Sequence, residues 1–405
     1  MTREEKNIVA LTGCSHALSH GYLLIFPAVL LLLQKEFSMG YLGLGVISNI
    51  MVFSYGLGAL PGGMIYNRFG ARRLYLICFL GSSGASFLVA FSPNLFLFTA
   101  GLALLGALGS VYHPLANSLI TSKVKEYGRG LGIHGAAGNI GLAVAPFLAA
   151  LIGSRWGWRQ AYLFFTIPGI VLSVWSLFID MSVRKEDSRN PFREDVRTAP
   201  AAKGRGLWLF LSFPLLLLYT LNMLHSFSYH GAITFLPTYM AKHTSLQMFS
   251  WDSVALGGML SGLALFMGVF GQYMGGVLGQ KPRLERNFLI LAALSFPFIL
   301  SMSVANDMVL FLMTLAFFFL NFALQPMTNI LLARYTTVEM RGTAFGIFFF
   351  AAFGIGSLAS SFSGYLAQTF GLSWVFVGLS FTTLLLILFA FILMRFKKTT
   401  WEVGL

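Results

Sequence analysis

Aspartate and glutamate are scarce in this chain: 14 in 405 residues, with none inside the long apolar stretches that make up most of it. Their absence there excludes paired carboxylates for acid–base catalysis, a carboxylate proton relay and an oxygen-rich metal site. The middles of the same stretches also lack Lys and Arg, so they hold no permanent cationic clamp. Only two cysteines are present, Cys14 and Cys78, both in apolar surroundings; a buried structural role is expected rather than a disulfide or thiolate framework. No nucleotide-binding loop is apparent, so neither a cofactor nor an ATP-driven step is expected. Ser110, His113 and Ser118 are neighbours in sequence, but without a carboxylate they build no nucleophile–base–acid set, and the chain does not read as an enzyme.

What is abundant is apolar: 57% of residues, against 10% charged. Each membrane-spanning helix needs about 20 apolar residues. Twelve such stretches are expected, at 8–33, 41–66, 72–91, 95–120, 130–154, 160–179, 207–238, 254–278, 287–305, 308–333, 343–367 and 373–395. The seventh exceeds one span and reads as a long or broken helix. Met1–Asn7 is polar and leads straight into a full-length span, unlike a cleaved leader. The net charge of +13 raises the question of nucleic acid. Its distribution answers it. With the amino terminus cytoplasmic, 23 Lys and Arg fall on inner segments and four, Lys35, Arg155, Arg159 and Lys242, on outer loops. That asymmetry orients a membrane protein with both termini inside, and no nucleic-acid partner is expected.

The one long polar stretch, 180–206, divides the spans six and six and reads as a cytoplasmic linker between halves at 1–179 and 207–405. The halves repeat. His20-Gly21 and Pro27 recur as His230-Gly231 and Pro237, at an offset of 210. His113-Pro114-Leu115-Ala116-Asn117 answers Gln325-Pro326-Met327-Thr328-Asn329, and Arg129-Gly130 answers Arg341-Gly342, both at 212. Gly62-Gly63 answers Gly275-Gly276 at 213; Gly132-Ile133 and Gly157 answer Gly346-Ile347 and Gly371 at 214. Six spans per half give both repeats the same orientation, with a pseudo-two-fold axis along the membrane normal and a substrate path between them.

The loop after the second span runs Gly63-Met64-Ile65-Tyr66-Asn67-Arg68-Phe69-Gly70-Ala71-Arg72-Arg73. It resembles the loop motif of the major facilitator superfamily, with Asn67 where an aspartate is usual. The resemblance covers essentially the whole chain. It implies an all-α fold of twelve transmembrane helices in two pseudo-symmetric six-helix halves, and makes Gly63, Asn67, Arg68, Gly70, Arg72 and Arg73 a conformational motif. Ser15-His16 with Pro27, and Gly109-Ser110-Val111-Tyr112-His113-Pro114, resemble the fosmidomycin-resistance type of exporters, although His20 stands where that group often has an acid. Gly130, Gly132, Gly135, Gly138 and Gly141 followed by Pro146 loosely resemble the fifth-span motif of antiporters; a tight helix contact explains the same glycines.

Six of the seven histidines lie inside expected spans, and only His243 falls in an expected loop. Ionisable groups in a bilayer core are costly, and histidine lowers the cost by giving up its charge near neutral pH. The resemblance implies that spans one, four, seven and ten line the central cavity, and His16, His20, His113, His225 and His230 fall on that set. These five are the candidates for substrate binding or proton coupling. His16 and His20, four apart, share a helix face. His225 and His230, five apart, do not share one unless their helix is broken. Hydrogen bonding between packed helices is the competing role for each, and the favoured one for His134. Tyr22, Tyr112, Asn117, Asn222, Gln325 and Asn329 are further cavity candidates. Arg129 and Arg341 read as a symmetric structural pair, with Glu126 and Glu339 as partners. Trp156, Trp158 and Trp374 fit the outer interface.

The expected activity is secondary transport by alternating access, with proton-coupled export of a small organic compound, an anionic phosphonate among the options, as the leading form. Uptake of a metabolite such as a monocarboxylate is the alternative; a metal-ion transporter and a non-transporting sensor or scaffold rank below it. The expected partners are a small-molecule substrate, protons and the lipid bilayer. The expected state is a monomer in a bacterial inner membrane.

Overall fold

The computed structural model describes residues 1–59, 69–181, 210–245, 251–336 and 338–396. All the regular structure among them is helical: α1 (Arg3–Ala28), α2 (Leu30–Glu36), α3 (Tyr41–Ala59), α4 (Ala71–Ala90), α5 (Leu95–Gly109), α6 (Tyr112–Lys123), α7 (Tyr127–Trp156), α8 (Trp158–Leu177), α9 (Phe213–His243), α10 (Ser253–Gly279), α11 (Leu284–Ser301), α12 (Asp307–Arg334), α13 (Val338–Phe349), α14 (Leu358–Thr369) and α15 (Ser373–Arg395). A π-helical turn, Phe350–Ile355, joins α13 to α14. Most of the expected linker, and Gly62, Gly63, Asn67 and Arg68 of the loop motif, lie outside the described residues.

Among the described residues, eleven helical segments are long and apolar enough to cross a membrane. They match every expected span but the seventh. That one is α9, whose 31 residues reach about 46 Å at 1.5 Å per residue. It is long enough to span but carries Asn222, His225, Ser226, Ser228, His230 and Thr234 along its length. α9 starts later and ends later than expected, and it passes through Pro237 without a break. His243 is its last residue rather than part of a loop.

Local chemistry accounts for the helix ends and breaks. The Glu5 N–H donates to Thr2 Oγ1 (3.2 Å) and the Thr2 N–H to Glu5 Oε2 (2.6 Å), a reciprocal cap on α1. The fourth expected span is broken into α5 and α6 at Ser110–Val111. Pro114 has no N–H to donate to the Ser110 carbonyl, and its ring crowds that carbonyl. Gly157 (φ +92°) and Gly371 (φ +102°), a repeat-related pair, both sit in the left-handed region between helices, where a side chain is strained. Gly70 (φ +75°) does the same before α4, which gives this glycine of the loop motif a backbone reason. Arg72 donates to the Ile179 carbonyl (2.8 Å), tying the start of α4 to the end of α8, and Arg73 is exposed.

The two halves meet along a seam that starts at the end of the bundle opposite the termini. Lys242 Nζ donates to the Tyr41 hydroxyl (2.6 Å) and the Leu42 N–H to Gln368 Oε1 (3.0 Å). Deeper in, the hydroxyls of Ser48 and Thr234 pair at 3.3 Å, and Thr234 pairs with Ser360 at 2.9 Å. Glycine permits the closest approaches. A Cβ on Gly45 would lie 2.3 Å from the Ser360 carbonyl oxygen, one on Gly258 2.7 Å from that of Pro146, and one on Gly56 2.4 Å from the Gly354 nitrogen. Large apolar side chains such as Phe96, Phe178 and Val304 are exposed on the bundle, where lipid would cover them.

Trp156 and Trp374 are exposed, as an interfacial ring would be. Trp158 is instead buried against Phe37, Phe98 and Tyr162, with the Arg159 guanidinium 4.3 Å above its ring. Its neighbours explain the difference: three aromatic rings offer more contact than the membrane surface. Arg129 pairs with Glu126 (3.3 Å) at the exposed start of α7; the side chains of Glu339 and Arg341 lie outside the described ones.

Candidate functional site

Four histidines converge near the middle of the first half. His16 and His20 come from successive turns of α1, His113 from the start of α6, and His134 from α7. The His16 ring stacks on His134 (centroids 4.2 Å apart, 17° between planes) and lies 4.8 Å from His20 and 5.0 Å from His113. His20 and His113 are 5.7 Å apart. The break at Ser110–Val111 starts a new helix at Tyr112, which carries His113 in its first turn toward α1.

Hydrogen bonding fixes the tautomers of the neutral pair. His16 Nδ1 is 2.9 Å from the His134 carbonyl oxygen, and a carbonyl only accepts, so Nδ1 carries the proton. His16 Nε2 then holds a lone pair and accepts from His20 Nε2–H at 3.1 Å. This leaves a lone pair on His20 Nδ1. Both nitrogens of His16 are engaged. The half-buried His20 and His113 are the rings placed to take up a further proton. A Cβ on Gly138 would come within 2.4 Å of His16 Nδ1, so the ring depends on that glycine for its place. Gly141, one turn on, lets α7 reach the backbone of Ala17. Gly138 and Gly141 of the fifth-span series are thus helix-contact glycines.

The acidic residues among the described ones all lie at helix ends or in connections, so no carboxylate faces the cluster. Tyr55, which the sequence reading did not single out, stands edge-on to His113 (6.2 Å) and packs on Phe353 of the π turn (5.3 Å). Phe353 lies 5.5 Å from His230. These four rings bridge the halves, His113 and Tyr55 on one side, Phe353 and His230 on the other. The π turn had no sequence signal. Ser19, Tyr55 and Ser82 line a cavity of about 10 Å³, room for one water.

The second-half histidines do not join the cluster. His225 Nε2–H donates to the Asn321 carbonyl (2.9 Å), while His230 faces the aromatic bridge. With α9 unbroken, they point about 140° apart. Of the other candidates, Tyr22 pairs with Ser83 (3.1 Å) and Tyr112 donates to the Thr12 carbonyl; both are buried within the first half. Asn222 donates to the Phe348 carbonyl (2.8 Å). Asn117 and Gln325 are exposed and Asn329 half-buried, all three toward the end of the bundle that carries the termini. Gln325 belongs to an amide chain across the halves. Asn139 Nδ2 donates to Gln272 Oε1 (3.0 Å), and Gln272 Nε2 to Gln325 Oε1 (2.9 Å).

A two-half helical bundle with polar groups at mid-depth is the architecture of a secondary transporter. The family model for the Major Facilitator Superfamily matches residues 9–361, and the chain belongs to that superfamily. It is an integral membrane transporter, not an enzyme. It is 26% identical over 346 residues to a probable sulfoacetate transporter of Cupriavidus necator, covering 78% of each chain. It is 36% identical over 144 residues to the nitrite extrusion protein of Bacillus subtilis, covering 34% of this chain and 35% of that one. A gentisate transporter of Corynebacterium glutamicum is 28% identical over 247 residues, covering 57% of this chain and 53% of that one. Among solved structures, the fold matches a bacterial homolog of the human lysosomal transporter Spinster in an inward-facing, occupied conformation (TM-score 0.82, 15% identity, 98% of each chain). It also matches a D-xylose–proton symporter (TM-score 0.76, 15% identity, 96% of this chain and 97% of that one).

Proposed function

We propose that this transporter carries a small organic anion together with a proton, both held at the imidazole cluster. The observation behind the reading is the meeting of His16, His20 and His113 with no carboxylate beside them. An imidazolium in such a place has no fixed counter-ion, and unpaired charge in a bilayer is costly. An arriving anion supplies the partner, and the proton in turn attracts the anion. At about 4 Å and an effective dielectric of 20, that attraction is about 4 kcal/mol. Linkage is reciprocal, so proton and anion raise each other's affinity by the same factor, up to about a thousandfold on this scale.

This sign of coupling separates the two forms of transport. A cationic substrate competes with the proton, which gives antiport. An anion cooperates with it, and the two travel together. Linkage therefore favours the symport alternative over proton-driven export, and an inward proton gradient then drives uptake. The relatives support the substrate class: sulfoacetate, nitrite and gentisate are all anions at neutral pH. Sulfonates, carboxylates and phosphonates are the compounds to try. The charge asymmetry of the loops supports both termini being cytoplasmic, and the bacterial relatives support an inner membrane.

The test uses purified protein in liposomes holding a pH-sensitive dye, with membrane potential clamped. An inward proton gradient should drive labelled anion in, and an anion gradient should drive protons in with the same stoichiometry. His20→Ala and His113→Ala should each abolish the coupled flux in protein that still inserts and melts cooperatively. Anion leaving as protons enter would overturn the symport assignment in favour of export.

A further inference from the structure

We infer that His16, His20 and His113 also form a binding site for a borderline-soft divalent transition ion of the Zn²⁺, Ni²⁺ or Cu²⁺ class. Each ring offers one nitrogen, and the three nitrogens lie within 4.8 Å of one another. Tetrahedral zinc takes imidazole nitrogens at about 2.0–2.1 Å, which puts ligand nitrogens about 3.4 Å apart. The Nε2 atoms of His16 and His20 stand at 3.1 Å, already near that spacing. The His113 ring needs to close by at most about 1.4 Å, from the 4.8 Å bound to the spacing of about 3.4 Å, to complete a face of the tetrahedron. Two ligands four residues apart on one helix, with a third from another helix, is a recurring zinc-site layout.

A second observation is independent of those distances. A metal-binding histidine characteristically donates its other N–H to a carbonyl or carboxylate, which fixes the tautomer and turns a lone pair on the ion. His16 is held in this way by the His134 carbonyl (2.9 Å), with the stacked His134 ring and Gly138 limiting its movement. The donor set decides the ion. Three imidazoles without oxygen ligands suit Zn²⁺, Ni²⁺ and Cu²⁺ and give Mg²⁺ and Ca²⁺ little to hold. The fourth position is left to water or an anion, because His20 and His113 are only half-buried. Binding at His20 Nε2 moves that ring's proton to Nδ1, so neither nitrogen is left to take up another proton; on the transport reading above this would arrest transport, but binding itself does not depend on that reading.

The experiment is done on the full chain in detergent or nanodiscs, carried on a tag without histidine. Zn²⁺ is titrated against a fluorescent chelator and, separately, thermal unfolding is followed with Zn²⁺ or Mg²⁺. One Zn²⁺ per chain, a higher melting temperature with Zn²⁺ and none with Mg²⁺ are expected. His20→Gln and His113→Gln should each weaken binding by more than about tenfold, and His243→Gln should leave it unchanged. X-ray absorption at the zinc edge of the wild type gives a readout that needs no variant: a shell with three imidazole nitrogens is expected. Absence of stoichiometric Zn²⁺ in the wild type, binding unaltered in both cluster variants, or a shell dominated by oxygen or sulfur would overturn the site. Because binding is read without flux, its failure leaves the transport reading standing, and a failed flux assay leaves the metal site standing.

Discussion

At the scale of single residues, the cluster depends on a missing side chain as much as on the rings present. Gly138 leaves the space that His16 Nδ1 fills, and a Cβ there would approach to 2.4 Å. Gly138→Ala should therefore push the ring off the His134 carbonyl. Overpacking of this kind costs about 1–3 kcal/mol. The expected outcome is a lowered melting temperature and a loss of coupled flux well beyond that of Gly135→Ala, whose new Cβ meets nothing within 4 Å. Equal flux in the two variants would count against the packing account. Part of this site was legible in the sequence. The spacing of His16 and His20 put them on one helix face, and the lack of buried acid pointed to imidazole. The arrival of His113 from a helix about a hundred residues away was not legible. Nor was the part played by His134, for which packing was the favoured role, and whose carbonyl fixes a tautomer while its ring stacks on His16. Backbone carbonyls leave no mark in a sequence.

At the scale of helices, proline has two different effects here. Pro237 is carried within α9 without a break, whereas Pro114 opens the span between α5 and α6. Pro114→Ala supplies the N–H that Ser110 O lacks and favours one continuous helix, since proline in a helix interior costs about 3 kcal/mol. Stability should stay level or rise. Flux should fall, because straightening rotates His113 away from His20; a spectrum showing unchanged imidazole environments together with full flux would contradict this. The glycine at 157 and its counterpart at 371 were visible as a repeat, and their left-handed backbones give that repeat a physical basis. The π turn at Phe350–Ile355 was not visible. Nothing in Phe-Ala-Ala-Phe-Gly-Ile departs from an ordinary helical pattern, and the extra residue per turn shows only where Gly354 meets Gly56.

At the scale of the whole molecule, composition and loop charge sufficed for an all-helical membrane protein of about twelve spans. They carry no information on which side is shut, because that depends on small residues meeting across the seam. Rocking of the halves requires this seam to part. The pair of hydroxyls at Ser48 on α3 and Thr234 on α9, 3.3 Å apart, offers a direct check. With Cys14 and Cys78 replaced, Ser48→Cys and Thr234→Cys place two thiols where those hydroxyls meet, close enough for a disulfide after minor adjustment. Oxidation should lock the halves together and stop flux of any substrate. Dithiothreitol should restore it, and each single variant should transport under both conditions. If fully cross-linked protein still transports, the seam does not open during the cycle, and access to the imidazole cluster must alternate by movement within one half.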